Sequence, residues 1–199
     1  MTRLACAVLV VAIWLPGCGS SNDAGTTGAG SRLQGLILKP AKPAPPLALR
    51  NYTGKPISIG AFRGKAVFVT FVYTHCPDVC PLIVSSLAAA QRQLGAKAGL
   101  VRIVAVTVDP RRDTPSAVGA FLAARGATGR MYYLLGARSQ LREVWKAWEV
   151  AVMSSKHQLT NGHSALVYGI TAGGRMAVVY PSSVTPAQLI HDVPLLARS

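Results

Sequence analysis

The sequence predicts an α/β sandwich: a mixed central sheet flanked by helices, ending in a C-terminal β-hairpin and a last helix. Three observations predict it. Ala66–Tyr73 and Val101–Val108 are β-rich runs with apolar residues facing both ways, the pattern of central strands buried on two sides. Helical segments stand between and after them, bounded by proline, glycine and hydroxyl residues at the capping positions. Two more β-rich segments flank Gly173-Gly174 and read as an antiparallel hairpin. Alternation followed by a hairpin is the signature of a sheet layered between helices.

Each element follows from local chemistry. Pro56–Ile59, with Phe62, forms a short strand or hairpin leading to the turn Arg63-Gly64-Lys65. Behind the first central strand, Leu82–Leu94 is a helix with Pro81 at a tolerated early position and Gly95 closing it. After the second central strand, Thr114-Pro115 opens a helix that runs to about Arg125 and stops at Gly126. Met131–Leu135 is a strand. Ser139 caps a helix reaching Trp148, and Trp145 and Trp148, three apart, pack into the core. Ser164–Ile170 and Met176–Tyr180 make the hairpin, and Thr185–Leu196 is the final helix, with Pro186 in its first turn. The order is β-α-β-α-β-α-β-β-α.

The N-terminal segment, residues 1–46, stands apart. Arg3 precedes an unbroken apolar run of 12 residues, Leu4–Leu15. A membrane span needs about 20, so the run reads as the hydrophobic region of a secretory signal. Leu15-Pro16-Gly17-Cys18 resembles the bacterial lipoprotein cleavage box, with Pro16 a departure from the usual residue. That resemblance implies a signal peptide over 1–17, lipidation of Cys18 and an extracytoplasmic domain anchored to the membrane, on the periplasmic side of the inner membrane. Residues 18–46 read as a linker, low-complexity over Ser20–Gly30 and stiffer over Lys39–Pro46. The folded domain is expected over 47–199.

The chain carries 21 basic and 7 acidic residues, a formal net charge of +14. Nucleic acid is the first partner such a balance suggests, but the cations are scattered along the sequence and the address is extracytoplasmic. Anionic lipid or an acidic protein partner suits the charge better, beside the plain reading of a generally basic surface.

Of the four cysteines, Cys6 lies in the leader and Cys18 in the cleavage box, leaving Cys76 and Cys80 for the domain. They stand in Thr74-His75-Cys76-Pro77-Asp78-Val79-Cys80-Pro81, between the first central strand and its helix. If helical, they lie one turn apart, about 6 Å along the axis. That suits a disulfide or a shared metal ion. A bridge closing so small a loop adds little to stability. A helix N-terminus and basic surroundings favour thiolates.

Three blocks carry a resemblance to a known family: the Cys76–Cys80 block above, Thr107-Val108-Asp109-Pro110-Arg111-Arg112-Asp113-Thr114-Pro115, and Gly162-His163-Ser164 before an apolar strand. In this order they resemble Sco/SenC proteins, thioredoxin-fold copper chaperones for the CuA centre of cytochrome c oxidase. The resemblance covers about residues 45–197. It implies a thioredoxin-like fold and copper, as Cu(I) or Cu(II), on Cys76, Cys80 and His163, with Cys76 and Cys80 also forming a redox-active disulfide. It further implies a metallochaperone and not an enzyme. Its partners would be cytochrome c oxidase subunit II and other periplasmic copper chaperones or thiol reductants; nucleic acid is not expected. Soft thiolates favour Cu(I), imidazole accepts both states, and three ligands leave a site open to exchange. The alternative is a thiol-disulfide oxidoreductase, though such enzymes usually carry CxxC and a cis-proline, and no proline stands near Asn161–Ala165.

Asp109 and Asp113 are candidates for orienting the site or docking a partner, with turn and cap chemistry as the plain alternative. His75 adjoins a ligand but points away from it on a strand end and reads as a supporting residue. His157 is a transient copper contact or merely solvated, and His191 is expected at the surface. Met131, Met153 and Met176 form no methionine cluster. Where the family often has an acidic residue before the distal histidine and an aspartate at the hairpin turn, this chain has Gly162 and Thr171.

Overall fold

The computed structural model describes residues 32–152 and 165–199. Eight strands form one sheet: β1 (Leu36–Pro43), β2 (Ala48–Asn51), β3 (Pro56–Ser58), β4 (Ala66–Val72), β5 (Val101–Thr107), β6 (Tyr132–Leu135), β7 (Val167–Ile170) and β8 (Arg175–Tyr180). Their order across the sheet is β1-β8-β7-β4-β5-β6-β2-β3. The helices are α1 (Val79–Gln93), α2 (Pro115–Ala123), α3 (Arg138–Ala147) and α4 (Pro186–Ala197).

The two apolar runs form the centre. β4 pairs parallel with β5 from Ala66↔Val101 to Val72↔Thr107 and antiparallel with β7 on its other side. Every residue of β4 is buried, as a strand covered on both faces requires. Parallel neighbours need a crossover, and α1 provides it, so α1 begins where β4 ends and returns to the start of β5. This places the cysteine block at the C-terminal end of the sheet, where strands β4 and β5 open into loops. The mixed sheet with its C-terminal hairpin and helix is the expected thioredoxin-like sandwich.

Caps behave as the residue types dictate. Thr114 Oγ accepts from Ala117 N–H at 3.2 Å to start α2. At α4 the Thr185 hydroxyl and the Gln188 side chain serve each other's backbone N–H groups. Gly95 and Gly126 take positive φ values of 52° and 59° at the ends of α1 and α2. Trp145 and Trp148 are buried, the latter against Phe71 and Tyr168 at ring-centroid distances of 5.6 and 5.4 Å.

Three expectations are corrected. Leu36–Pro43 lies inside the stretch read as linker, yet it is an edge strand on β8. Its prolines suggest a loop, but the pairing skips from Ile37↔Val178 to Lys42↔Met176, and Pro40 falls in this irregular section where no ladder hydrogen bond is required of it. Gly35 lets the strand approach: a Cβ there would lie 2.5 Å from Val178. At α3 the residue that holds the first turn is not Ser139 but Gln140, whose side-chain oxygen accepts from Ala137 N–H at 3.1 Å. His191 is only half-exposed, its Nδ1 lying 2.7 Å from Asp192, a fully buried carboxylate that also receives the Tyr180 hydroxyl at 2.5 Å and Gln34 N–H at 2.8 Å.

Candidate metal centre

β4 ends at Val72 and α1 begins at Val79, so Tyr73–Asp78 is a short loop between two rigid elements. Cys76 N–H donates to the Tyr73 carbonyl at 3.3 Å, a turn that brings the first thiol back over the strand end. Cys80 sits in the first turn of α1, and its N–H donates to Cys76 Sγ at 3.4 Å. Both thiols are free and buried. Cys76 keeps 7% exposure and Cys80 none, which makes Cys76 the outer thiol.

The two thiols differ electrostatically. Burial pushes Cys76 up. Hydrogen bonds to its sulfur from the Cys80 thiol, the backbone N–H groups of Asp78 and Cys80, and the Tyr73 hydroxyl outweigh that and hold it below the ordinary thiol value. Cys80 is raised well above it, first by burial, then by its bond to Cys76 and the nearby Cys76 and Asp113 charges. Tyr73 is pushed up to about 12 by burial and by Cys76. Cys76 is therefore the more acidic of the two thiols.

Asp113 organises the loop. Its Oδ1 accepts from Thr74 twice, from the backbone N–H at 2.9 Å and the hydroxyl at 2.7 Å. Its Oδ2 accepts from the Thr107 hydroxyl at 2.6 Å and the Tyr133 hydroxyl at 2.7 Å. The carboxylate thus ties together the ends of β4, β5 and β6, and it is 3% exposed. With four donors on two oxygens it has little capacity left for a metal ion. Asp109 is also engaged: its carboxylate binds the Arg112 guanidinium, and its N–H donates to Thr107 Oγ at 2.9 Å. His75 is exposed, and its Nδ1 lies 2.9 Å from Thr74 Oγ. Because the Thr74 hydroxyl proton goes to Asp113, His75 Nδ1–H is the donor in that contact.

The structure brings together Cys76, Cys80, Asp109, Asp113 and His75. His163, Cys18, His157 and Met153 lie outside the described residues. Among the described residues no group of three His, Cys, Asp or Glu side chains could hold a metal ion. The sequence did not point to Tyr73 or Tyr133. Tyr73 adjoins the cysteine block and offered that much signal. Tyr133 is reached only through the pairing of β6 with β5, Ala105↔Tyr133. Two close thiols of unequal acidity can bind a thiophilic ion or interchange with a disulfide.

The SCO1/SenC family model matches residues 38–198, most of the chain. The chain belongs to the SCO1/SenC family. Among solved structures, the SCO1/SenC chain is similar to Bradyrhizobium japonicum ScoI with copper bound, at 28% identity and a TM-score of 0.67, over 78% of this chain and 99% of that one. It is also similar to apo Sco1 from Thermus thermophilus, at 27% identity and a TM-score of 0.69, over 86% and 100%. Among curated proteins it is 28% identical over 152 residues to the mitochondrial SCO2 homolog of Bos taurus, covering 73% of this chain and 56% of that protein. The chain spans little more than half the length of the first curated relatives it matches.

Proposed function

We propose that this SCO1/SenC protein is a copper metallochaperone that binds one copper ion through Cys76, Cys80 and His163. It hands the ion to the CuA site of cytochrome c oxidase subunit II, or keeps that site's thiols reduced. The observation that carries the reading is the pair of free, buried, unequal thiols at the end of β4, in a chain similar to a copper-bound ScoI. Soft sulfur donors suit Cu(I), and a nitrogen donor from a separate segment leaves the site open for ligand exchange. Oxidation to a Cys76–Cys80 disulfide removes both sulfur ligands, so redox state gates loading. In this reading the chain is tethered outside the cytoplasm through Cys18. The cysteine would be labelled by radioactive palmitate in the growing cell, and Cys18→Ala would abolish the label.

The ligand set is tested by measuring copper bound to the reduced protein. Wild type should hold one ion, while His163→Ala and Cys80→Ser should bind far more weakly. Unchanged stoichiometry and affinity in either variant sinks the assignment. The unequal acidity of the thiols favours one second reading, a thiol-disulfide reductase with Cys76 attacking and Cys80 resolving. Reductase turnover that survives His163→Ala would support it.

A further inference from the structure

The cations that are scattered in the sequence converge in the fold. The end of the sheet opposite the thiols is made of the loops that start β4 and β5, the β7–β8 turn and the chain after α4. Backbone and side-chain bonds join these segments into one surface. Gly64 N–H donates to the Ala172 carbonyl at 3.1 Å, Lys65 Nζ to the Gly99 carbonyl at 2.8 Å, and Gly173 N–H to the Ser199 carbonyl at 2.9 Å. On this surface stand Arg63, Lys65, Lys97, Arg102, Arg175 and Arg198. Arg63 donates to the Gly173 carbonyl and Arg175 to the Ala41 carbonyl, so these guanidiniums are held by backbone oxygens and not by carboxylates.

No acidic side chain among the described residues offsets them. Asp78, Asp109 and Asp113 are at the thiol end, and Asp192 is buried inside α4. Glu143 and Glu149 belong to α3 and the residues after it, whose tryptophans reach the Thr107 carbonyl and the Phe71 ring near the thiols. None of the six cations forms an ion pair with a described residue. Among them Leu100 is 39% exposed, one of three exposed large apolar side chains among the described residues. Its neighbours Ala96 and Gly99 are exposed and small, so nothing bulky holds a flat surface away.

We infer that this end of the domain binds an anionic phospholipid surface, with Leu100 entering the headgroup layer and the thiol end turned away from the bilayer. The inference is independent of the copper reading. A lipid surface fits because the cations sit on separate loops around a partly exposed apolar residue, an arrangement that anionic headgroups can meet without a shaped recess. Attraction to a charged membrane adds up per basic residue and needs no fixed geometry, only approach within a Debye length, about 8 Å at physiological salt.

The test uses the full chain and vesicles of phosphatidylcholine alone or mixed with phosphatidylglycerol, followed by sedimentation. The leader and its Arg3 are common to every variant, so the difference between the variants in anionic preference reads the surface. Wild type should favour the anionic vesicles by at least about 10-fold at low salt and lose most of that preference at high salt. Lys65→Gln/Lys97→Gln/Arg198→Gln should remove most of it. Lys55→Gln/Arg138→Gln/Arg142→Gln carries the same charge loss toward the far edge of the sheet and should retain it. Leu100→Ser should weaken anionic binding about 3-fold without changing the salt dependence. Thermal melts check that each variant folds. No preference for anionic vesicles, or equal loss in the two triple variants, overturns the inference. Tighter binding to polyglutamate than to anionic vesicles overturns it in favour of an acidic protein partner.

Discussion

The two ends of the sheet use charge in opposite ways. At the thiol end, two of the three carboxylates are buried and engaged: Asp113 takes four hydrogen bonds and Asp109 holds Arg112. That order fixes where Cys76 and Cys80 stand. At the other end, cations sit on loop carbonyls without partner carboxylates. Buried, fully bonded charge positions chemistry, because moving any member leaves a desolvated group unpaired. Exposed cations held only by loop carbonyls keep their charge unneutralised and available to a surface. One sheet thus separates a built site from an adhesive end, and the two should respond differently to the same kind of substitution.

The largest break in this contrast is Asp113→Ala. It strands the Thr74, Thr107 and Tyr133 donors in a dry site and should cost about 3 kcal/mol, read by urea denaturation. Tyr133→Phe removes one of those donors and should cost about 1–2 kcal/mol. At the opposite end, Lys97→Gln/Arg198→Gln should change stability by less than about 0.5 kcal/mol. A large loss there, or none at Asp113, would erase the distinction.

Much of this was legible. The alternation of apolar runs and helix signals gave the order from β4 to α4, and the two cysteines marked the end of β4. What stayed hidden depends on neighbours distant in sequence. Tyr133 reaches Asp113 only because β6 pairs with β5. Strand β1 was disguised by prolines that an edge position with an irregular register tolerates. The basic end is assembled from residues spread between Arg63 and Arg198, so sequence spacing made them look dispersed.

A smaller effect sharpens the thiol end itself. Tyr73→Phe takes one hydrogen bond from the Cys76 sulfur, so the Cys76 pKa should rise. The thiolate is the reactive form, so alkylation by iodoacetamide at neutral pH should slow a few-fold, about what the loss of one modest hydrogen bond implies. In wild type, Cys76 should alkylate at lower pH than an ordinary thiol, and Cys80 should stay protected until strongly alkaline pH. Equal labelling of the two cysteines across pH would remove the asymmetry on which both functional readings depend.

The most direct test of the thiol end as a copper site is the absorption spectrum of the reduced protein loaded with Cu(II). Wild type should show thiolate-to-copper charge-transfer bands, and Cys76→Ser should lose them while the Lys97→Gln/Arg198→Gln variant keeps them. Bands that persist in Cys76→Ser, or that never form in wild type, would contradict it.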